Sequence, residues 1–317
     1  MRKILWYSIC DEKFIPRAYS MFNSLKTSDY DEKCLITTDE ISDSHKEEFE
    51  ILGVRVRNLN EIIDKGTLNS INTREKLSFL WTLPALVMKE FLNENSKYTD
   101  ICYLDADLFF YNKIDHVLNA IPEGNLAIVP HRFSPRLKKY FKDSGKFNVS
   151  LVFLPVNDLG KKCGTRWAQQ VKESCPIIPY YKNGKLIYGD QGYLDEWPDI
   201  YSENLTILDS PGIGLAPWNL QKYYYTFSNE ILVDGNPLVF YHFSSHQYGF
   251  FFAKKIGSVY KGKGRIPNKI YKIYETDLKK TLKILKIKKW RSRYRPFLIR
   301  AIDYVKRHRV SLNTIQL

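Results

Sequence analysis

The sequence predicts an α/β fold with a single sheet and crossover helices, and three observations predict it. Short apolar runs alternate with helical patterns over residues 1–250, the rhythm of strands joined by covering helices. One of those runs, Ile101-Cys102-Tyr103-Leu104, is apolar at every position, as a strand buried on both faces requires. The 317 residues, 44% hydrophobic and 15% aromatic, exclude a disordered chain and suffice for one large core, without a second domain of comparable size.

The elements follow in order. Ile4 to Ile9 reads as a first strand and Ile15 to Leu25 as a helix. Cys34 to Thr38 is a second strand, and Ser42 to Leu52 a helix that Gly53 ends. Val54-Arg55-Val56 is a third short strand. Leu77 to Asn93 is helical, with Pro84 expected to kink it or shorten its start. After Ile101–Leu104 come strands at Leu126–Val129 and Val149–Leu154, a helix at Gly164–Lys172, a short helix at Asp190–Trp197 and a last strand at Pro237–His242.

The net charge of +13 is unevenly distributed: residues 251–317 hold 20 Lys and Arg against 3 acids, and residues 1–250 hold 28 against 32. The chain therefore divides into an α/β domain, 1–250, and a basic helical tail, 251–317. In the tail, Leu278, Leu282 and Leu285 share one helical face among Lys279, Lys280, Lys283, Lys286, Lys288 and Lys289, and a second helix is expected from Pro296 through Ile302 to Val305. A basic amphipathic helix with Trp290, Tyr294 and Phe297 nearby suits an anionic membrane surface. Nucleic acid would attract the same charge, but the chain carries no nucleic-acid-binding module.

The apolar run Ile4 to Cys10 is too short for a signal-peptide core, and no stretch approaches the roughly eighteen apolar residues of a membrane span. The five cysteines, Cys10, Cys34, Cys102, Cys163 and Cys175, are scattered and never spaced as metal pairs, which fits buried thiols in a reducing compartment. The expected location is the cytoplasm, peripheral on the inner face of the membrane.

The chemistry concentrates at Asp105-Ala106-Asp107, directly after the buried strand. Ligands collect beyond the carboxyl ends of strands in open α/β sheets, and two carboxylates at i and i+2 converge on a cation if the chain turns there. Mn²⁺ or Mg²⁺ takes such hard oxygen ligands and keeps positions open for diphosphate oxygens. Apolar residues flank the pair on both sides in Tyr-Leu-Asp-Ala-Asp-Leu-Phe-Phe, a pattern foreign to a solvated loop.

Over residues 1–250 the chain resembles the retaining GT-A glycosyltransferases of family 8, the group of bacterial lipopolysaccharide galactosyltransferases and glycogenin. The resemblance rests on the order of Asp11-Glu12-Lys13-Phe14, Tyr103 to Phe110, Phe147-Asn148-Val149-Ser150, Gly189-Asp190-Gln191-Gly192 and Phe240-Tyr241-His242-Phe243-Ser244. It implies a GT-A nucleotide-diphospho-sugar transferase fold, with one Rossmann-like mixed sheet flanked by helices. It also implies transfer of a sugar from a nucleotide diphosphate donor, a UDP-sugar, to a glycan or lipid-linked acceptor with retention of configuration.

The resemblance makes His242 the third metal ligand beside Asp105 and Asp107. It assigns the nucleotide base to Asp11 and Phe14, a donor contact to the basic residues Arg74 or Lys76, of which Arg74 offers the forked guanidinium, and the sugar hydroxyls and anomeric carbon to Asn148, Asp190 and Gln191. Structural alternatives stand beside these: Asp11 and Asp190 are also placed to cap helices, and Phe14 to enter the core. A glutamine is a poor nucleophile, so Gln191 favours same-face attack. Trp218-Asn219, after a Gly-rich and Pro-containing loop, is read as an aromatic wall on the acceptor side, or else as a core Trp.

The sequence departs from the family where a phosphate-binding lysine is expected after His242: Ser245 and Tyr248 stand there, leaving His246, Lys254 or Lys255 as substitutes. Two other functions compete. A nucleotidyltransferase shares the layout but needs a Gly-rich loop where Cys10-Asp11-Glu12-Lys13 stands. An inactive membrane- or RNA-binding module would lack metal-dependent affinity for the donor.

Overall fold

The computed structural model describes residues 2–94, 97–246, 248, 267–288 and 290. In chain order the strands are β1 (Ile4–Cys10), β2 (Glu32–Thr37), β3 (Val54–Asn58), β4 (Asp100–Leu104), β5 (Leu108–Phe110), β6 (Leu126–Pro130), β7 (Phe147–Pro155), β8 (Tyr180–Lys182), β9 (Lys185–Ile187), β10 (Leu205–Ile207), β11 (Tyr225–Phe227), β12 (Ile231–Val233), β13 (Asn236–Pro237) and β14 (Phe240–His242). The helices are α1 (Ile15–Ser24), α2 (Asp43–Ile51), α3 (Lys65–Ile71), α4 (Lys76–Asn93), α5 (Asp115–Leu118), α6 (Phe141–Ser144), α7 (Asp158–Glu173), α8 (Trp197–Tyr201) and α9 (Asn268–Ile284).

Seven strands form a mixed central sheet in the order β10-β6-β7-β4-β1-β2-β3. The chain winds outward from β1 through β2 to β3, all parallel, then returns to lay β4 parallel on the other side of β1. Beyond β4, β7 is antiparallel to both β4 and β6. The junction of β1 and β4 is thus the point where strand order reverses, the place at which an open sheet leaves a crevice past its carboxyl ends. Every residue of β1, β4 and β7 is buried, and the two layers of core lie on opposite faces of the sheet.

Local chemistry explains the boundaries. Ser42 caps α2 by accepting from the His45 amide, and Gly53, at φ +68°, ends that turn of chain as a residue without a Cβ does at low cost. α4 runs from Lys76 to Asn93 with Pro84 inside; the Pro84 carbonyl accepts from the buried Tyr7 hydroxyl at 2.7 Å, so sheet packing holds the helix where proline alone would break it.

Three elements differ from expectation. α7 starts at Asp158 rather than Gly164, because Asn157 caps it from the side chain to the Gly160 amide. Gly160 is no helix breaker there: a Cβ on it would lie 1.9 Å from the Pro155 carbonyl oxygen, so it is the residue that lets helix and strand end approach. No helix starts at Asp190; a 3-10 turn at Gly192–Glu196 leads into α8. The last strand divides, since Asn236–Pro237 pairs with β12 while Phe240–His242 pairs antiparallel with β5.

Gly212 packs against that division. A Cβ on it would meet the Pro237 carbonyl oxygen at 1.9 Å, and its own carbonyl accepts from Val239 at 2.8 Å. Gly212→Ala is expected to push the β13–β14 link away and lower stability by about 1–3 kcal/mol, read as a lowered urea midpoint. An unchanged midpoint would refute the close approach.

The amphipathic helix expected at Leu278 to Leu285 is α9, and its apolar face is already covered. Ile270, Tyr271, Tyr274 and Leu278 are buried in one cluster with Phe109, Leu215, Tyr241 and Phe243, Leu285 enters the core beside α1, and Asp277 accepts from Ser20 at 2.6 Å. These side chains are unavailable to a bilayer, which corrects the membrane-facing reading of this helix; its lysines face outward. Lys289, Tyr294, Phe297 and the helix expected over 296–305 lie outside the described residues. Among the described residues no helix is long and apolar enough to cross a membrane. All five cysteines are buried and free.

Candidate metal centre at the exit of the central strand

The buried strand β4 delivers Asp105 to the sheet edge, where its amide is held by the Ser150 carbonyl of β7 at 3.0 Å. The chain turns at once: the Leu108 amide donates to the Asp105 carbonyl at 3.2 Å, which brings the i and i+2 side chains round to one side. β5 then pairs with β14 so that Leu108 lies opposite His242, and the Phe243 amide donates to the Asp107 carbonyl at 2.9 Å. Two tripeptides more than a hundred residues apart in sequence, Leu108–Phe110 and Phe240–His242, thereby set an imidazole against the two carboxylates.

His242 Nε2 lies 3.0 Å from Asp107 Oδ1 and 3.5 Å from Asp105 Oδ2, and one donor atom of each residue falls within 4.8 Å of the others. The other carboxylate oxygens are held from behind. The Tyr103 hydroxyl donates to Asp105 Oδ1 at 2.8 Å, and the Arg17 guanidinium lies 3.6 Å from Asp107 Oδ2. Two carboxylate oxygens and an imidazole nitrogen, oriented by outer partners, are a donor set that fits Mn²⁺ or Mg²⁺.

The electrostatics describe a site that competes protons against a cation. Burial pushes Asp105 up to about 6 against the pull of His242, and the charge of Asp107 adds to the rise. Burial also works against ionised Asp107, but His242 and then Arg17 outweigh it and hold this carboxyl below its ordinary range. His242 is raised: burial opposes the imidazolium, and Asp107 and Asp105 more than compensate. A proton on the imidazole and a divalent ion thus serve the same carboxylates, so binding the ion releases protons.

Asp190 belongs to the same surroundings. Burial, reinforced by the charge of Asp105, pushes its carboxyl well above the ordinary range, and Trp167 Nε1 donates to its backbone carbonyl at 3.0 Å. Gln191 is half-buried and donates to the Ser144 carbonyl at 2.6 Å. Asn148 is buried at the irregularity between β6 and β7, where its amide serves Val129 and Ser150.

Asp11 ends β1 with two tasks: it caps the next turn through the Phe14 amide at 3.2 Å and pairs with Lys76 at 2.7 Å. Phe14 is 37% exposed, which leaves its ring outside the core. Of the two basic residues at the start of α4, Lys76 is the one that meets Asp11. Arg74 instead binds Thr82 and the carbonyls of Val171 and Lys172, closing the end of α7, so the structure does not bring it to the carboxylate pair.

Both acceptor-side candidates are buried. Asn219 is fully buried, with Oδ1 accepting from Ala216 and Nδ2 donating to His131 and Gly214; it staples its own loop. Trp218 is buried edge-on against His242, with ring centroids 5.3 Å apart, and against His131. It backs the imidazole instead of presenting a face. His246 is buried beside Glu275, and Lys254 and Lys255 lie outside the described residues.

Behind Trp218, burial drives His131 down to about 3 despite the hydrogen bond from its Nδ1 to the Gly145 carbonyl. Its folded value lies below the unfolded one near 6.5, so the unfolded chain takes up the proton first. The stability His131 provides is complete above about pH 6.5 and lost as pH falls towards 3. Urea midpoints are expected to fall below pH 6.5 less steeply in His131→Asn; equal slopes would contradict this.

Sequence reasoning missed Arg17 and Tyr103. Arg17 had a signal: it is the only charged residue in α1, IPRAYSMFNS, a helix buried over most of its length. A charge placed there needs a partner, and the partner comes from a different part of the chain.

No model of a known protein family matches the chain. It is 25% identical over 244 residues to the uncharacterized protein YfnF of Bacillus subtilis (strain 168), covering 73% of this chain and 78% of that one. It is 27% identical over 187 residues to the uncharacterized protein YfnD of the same strain, covering 59% of each. Similar solved structures include the galactosyltransferase LgtC in complex with donor and acceptor sugar analogs (12% identity, TM-score 0.48, 75% of this chain and 86% of that chain) and mouse xyloside xylosyltransferase 1 (14%, 0.45, 77% and 98%). A third is the glycosyltransferase GlyE of Streptococcus pneumoniae TIGR4 (13%, 0.41), of which this chain spans 46% with 66% of its own length. The likeness to these three glycosyltransferases is one of fold.

Proposed function

We propose that the chain is a glycosyltransferase that moves a hexose from a nucleotide diphosphate sugar, a UDP-sugar, to a glycan or lipid-linked acceptor with retention of configuration. The observation that carries this reading is the meeting of Asp105 and Asp107, in the turn at the exit of β4, with His242 of β14, at the reversal point of the sheet. A divalent ion bound there would neutralise the charge that develops on the diphosphate as it leaves the sugar.

The chain's own residues do the rest. Asp105, Asp107 and His242 would hold the cation, with Tyr103 fixing the outer oxygen of Asp105 and Arg17 standing 3.6 Å from that of Asp107. Asp11 and Phe14, just past the end of the neighbouring strand β1, are the contacts for the nucleotide base, with Lys76 at the start of α4 paired to Asp11. Asp190 and Gln191 flank the reacting carbon: the buried carboxyl of Asp190, whose pKa burial and the charge of Asp105 push upward, faces a sugar hydroxyl, and the neutral Gln191 amide orients the sugar without attacking it. The acceptor hydroxyl oxygen then bonds to the anomeric carbon on the face from which the diphosphate departs, its proton passing to that diphosphate, and no enzyme nucleophile is needed.

The test is a panel of nucleotide sugars incubated with the full chain and Mn²⁺, following nucleotide diphosphate release. Transfer, or slow hydrolysis of one donor that stops on chelation of the metal, is expected. No release from any donor, with Mn²⁺ present and the protein folded, would count against the proposal.

A further inference from the structure

Arg17 is a buried cation with most of its hydrogen-bonding capacity unused. A guanidinium carries five N–H donors, and in protein interiors nearly all buried polar groups are paired. Arg17 is 2% exposed. Among the described residues its Nη2 donates to the His246 carbonyl at 2.5 Å, and its Nε has no partner. Its Nη1 lies 3.6 Å from Asp107 Oδ2, an ion-pair distance too long for a hydrogen bond. The Phe14 and Trp290 rings lie 5.0 and 5.8 Å from its Cζ, which fixes the plane of the group without satisfying its edge.

The position of the group matches its free donors. Arg17 lies between the Asp105–Asp107 turn and the turn that follows His242, touching both through Asp107 and His246. A lone structural counter-charge for Asp107 would be expected to close on the carboxylate with a forked pair of hydrogen bonds, and this one stands off. A cation centre with a forked donor beside it is the arrangement that binds a diphosphate, whose oxygens take the ion on one side and N–H groups on the other.

We infer that Arg17 is the protein's own cation for a diphosphate: its unpaired Nε and Nη groups bind the diphosphate of the donor next to the ion held by Asp105, Asp107 and His242. The inference rests on the reading of those three residues as a cation site, and makes Arg17 a binding residue in addition to a neighbour of Asp107.

The test is calorimetry on the full chain with two probes, Mn²⁺ alone and inorganic pyrophosphate at saturating Mn²⁺, for the wild type, Arg17→Gln and Arg17→Lys. Arg17→Gln is expected to keep its Mn²⁺ affinity or bind the ion more tightly, since a positive neighbour is gone, and to bind pyrophosphate about ten-fold more weakly or worse. Arg17→Lys, which keeps the charge but not the fork, is expected to fall between.

Pyrophosphate affinity in a folded Gln variant equal to that of the wild type would overturn the inference. So would a loss confined to Mn²⁺, which marks a purely structural partner of Asp107. If the Gln variant does not fold, the Lys variant decides: an affinity about three-fold or more weaker is expected, and equality overturns the proposal. A wild type that binds no Mn²⁺ sinks the cation site itself, whereas one that binds Mn²⁺ without pyrophosphate sinks only the role of Arg17.

Discussion

Asp107→Asn is expected to abolish metal-dependent binding of a nucleotide diphosphate while leaving the fold intact. The side chain faces His242 on one oxygen and Arg17 on the other, and its charge is what both the imidazole and a divalent ion require. An amide of the same shape keeps the volume but removes an anionic ligand, and ligand loss of this kind weakens metal affinity by about 100-fold or more. Without the carboxylate, His242 also loses the main cause of its raised pKa, so the change reaches two of the three ligands. Calorimetry with Mn²⁺ and UDP is the measurement, beside an unchanged circular dichroism spectrum. Equal affinity in the variant would remove the metal centre from the account.

Ending the chain at residue 266 is expected to destroy its solubility rather than detach a separable tail. α9 contributes Ile270, Tyr271, Tyr274 and Leu278 to a buried cluster, with Tyr274 stacked on Phe243 at 3.7 Å between centroids and the Tyr271 and Tyr241 hydroxyls 2.6 Å apart. Burying each large apolar side chain is worth about 1.5–3 kcal/mol, so losing four removes roughly 6–12 kcal/mol, as much as the whole stability of many domains. Tyr241 and Phe243 flank His242, and uncovering them loosens the third ligand as well. A chain ending at residue 290 keeps these contacts and is expected to melt cooperatively near the full-length midpoint. A shortened chain ending at 266 with unaltered melting would show that α9 is not needed.

These expectations differ in how far they were legible beforehand. The Asp105-Ala106-Asp107 pair could be read directly, because a run of four apolar residues before it and three after it leaves a turn as the sole place for two charges. His242 came from the resemblance, and what makes it a partner of the pair is the pairing of β5 with β14, a contact between segments more than a hundred residues apart. For Trp218 and Asn219 the sequence left both an open wall and a core Trp standing; the Gly-rich and Pro-containing loop is folded inward, with the Asn219 side chain bonded to Ala216, Gly214 and His131.

By itself, the sequence determined the alternation of strands and helices, the burial of β1 and β4, and the place of the carboxylate pair, since periodicity and charge act over neighbouring residues. Only the tertiary structure decided that Arg17 stands behind Asp107, that Arg74 closes α7, and that the basic helix α9 turns its apolar side inward. An amphipathic face specifies that something must cover it, not what. The covering partner, like the partner of a buried charge, is settled when distant segments compete for the same surface.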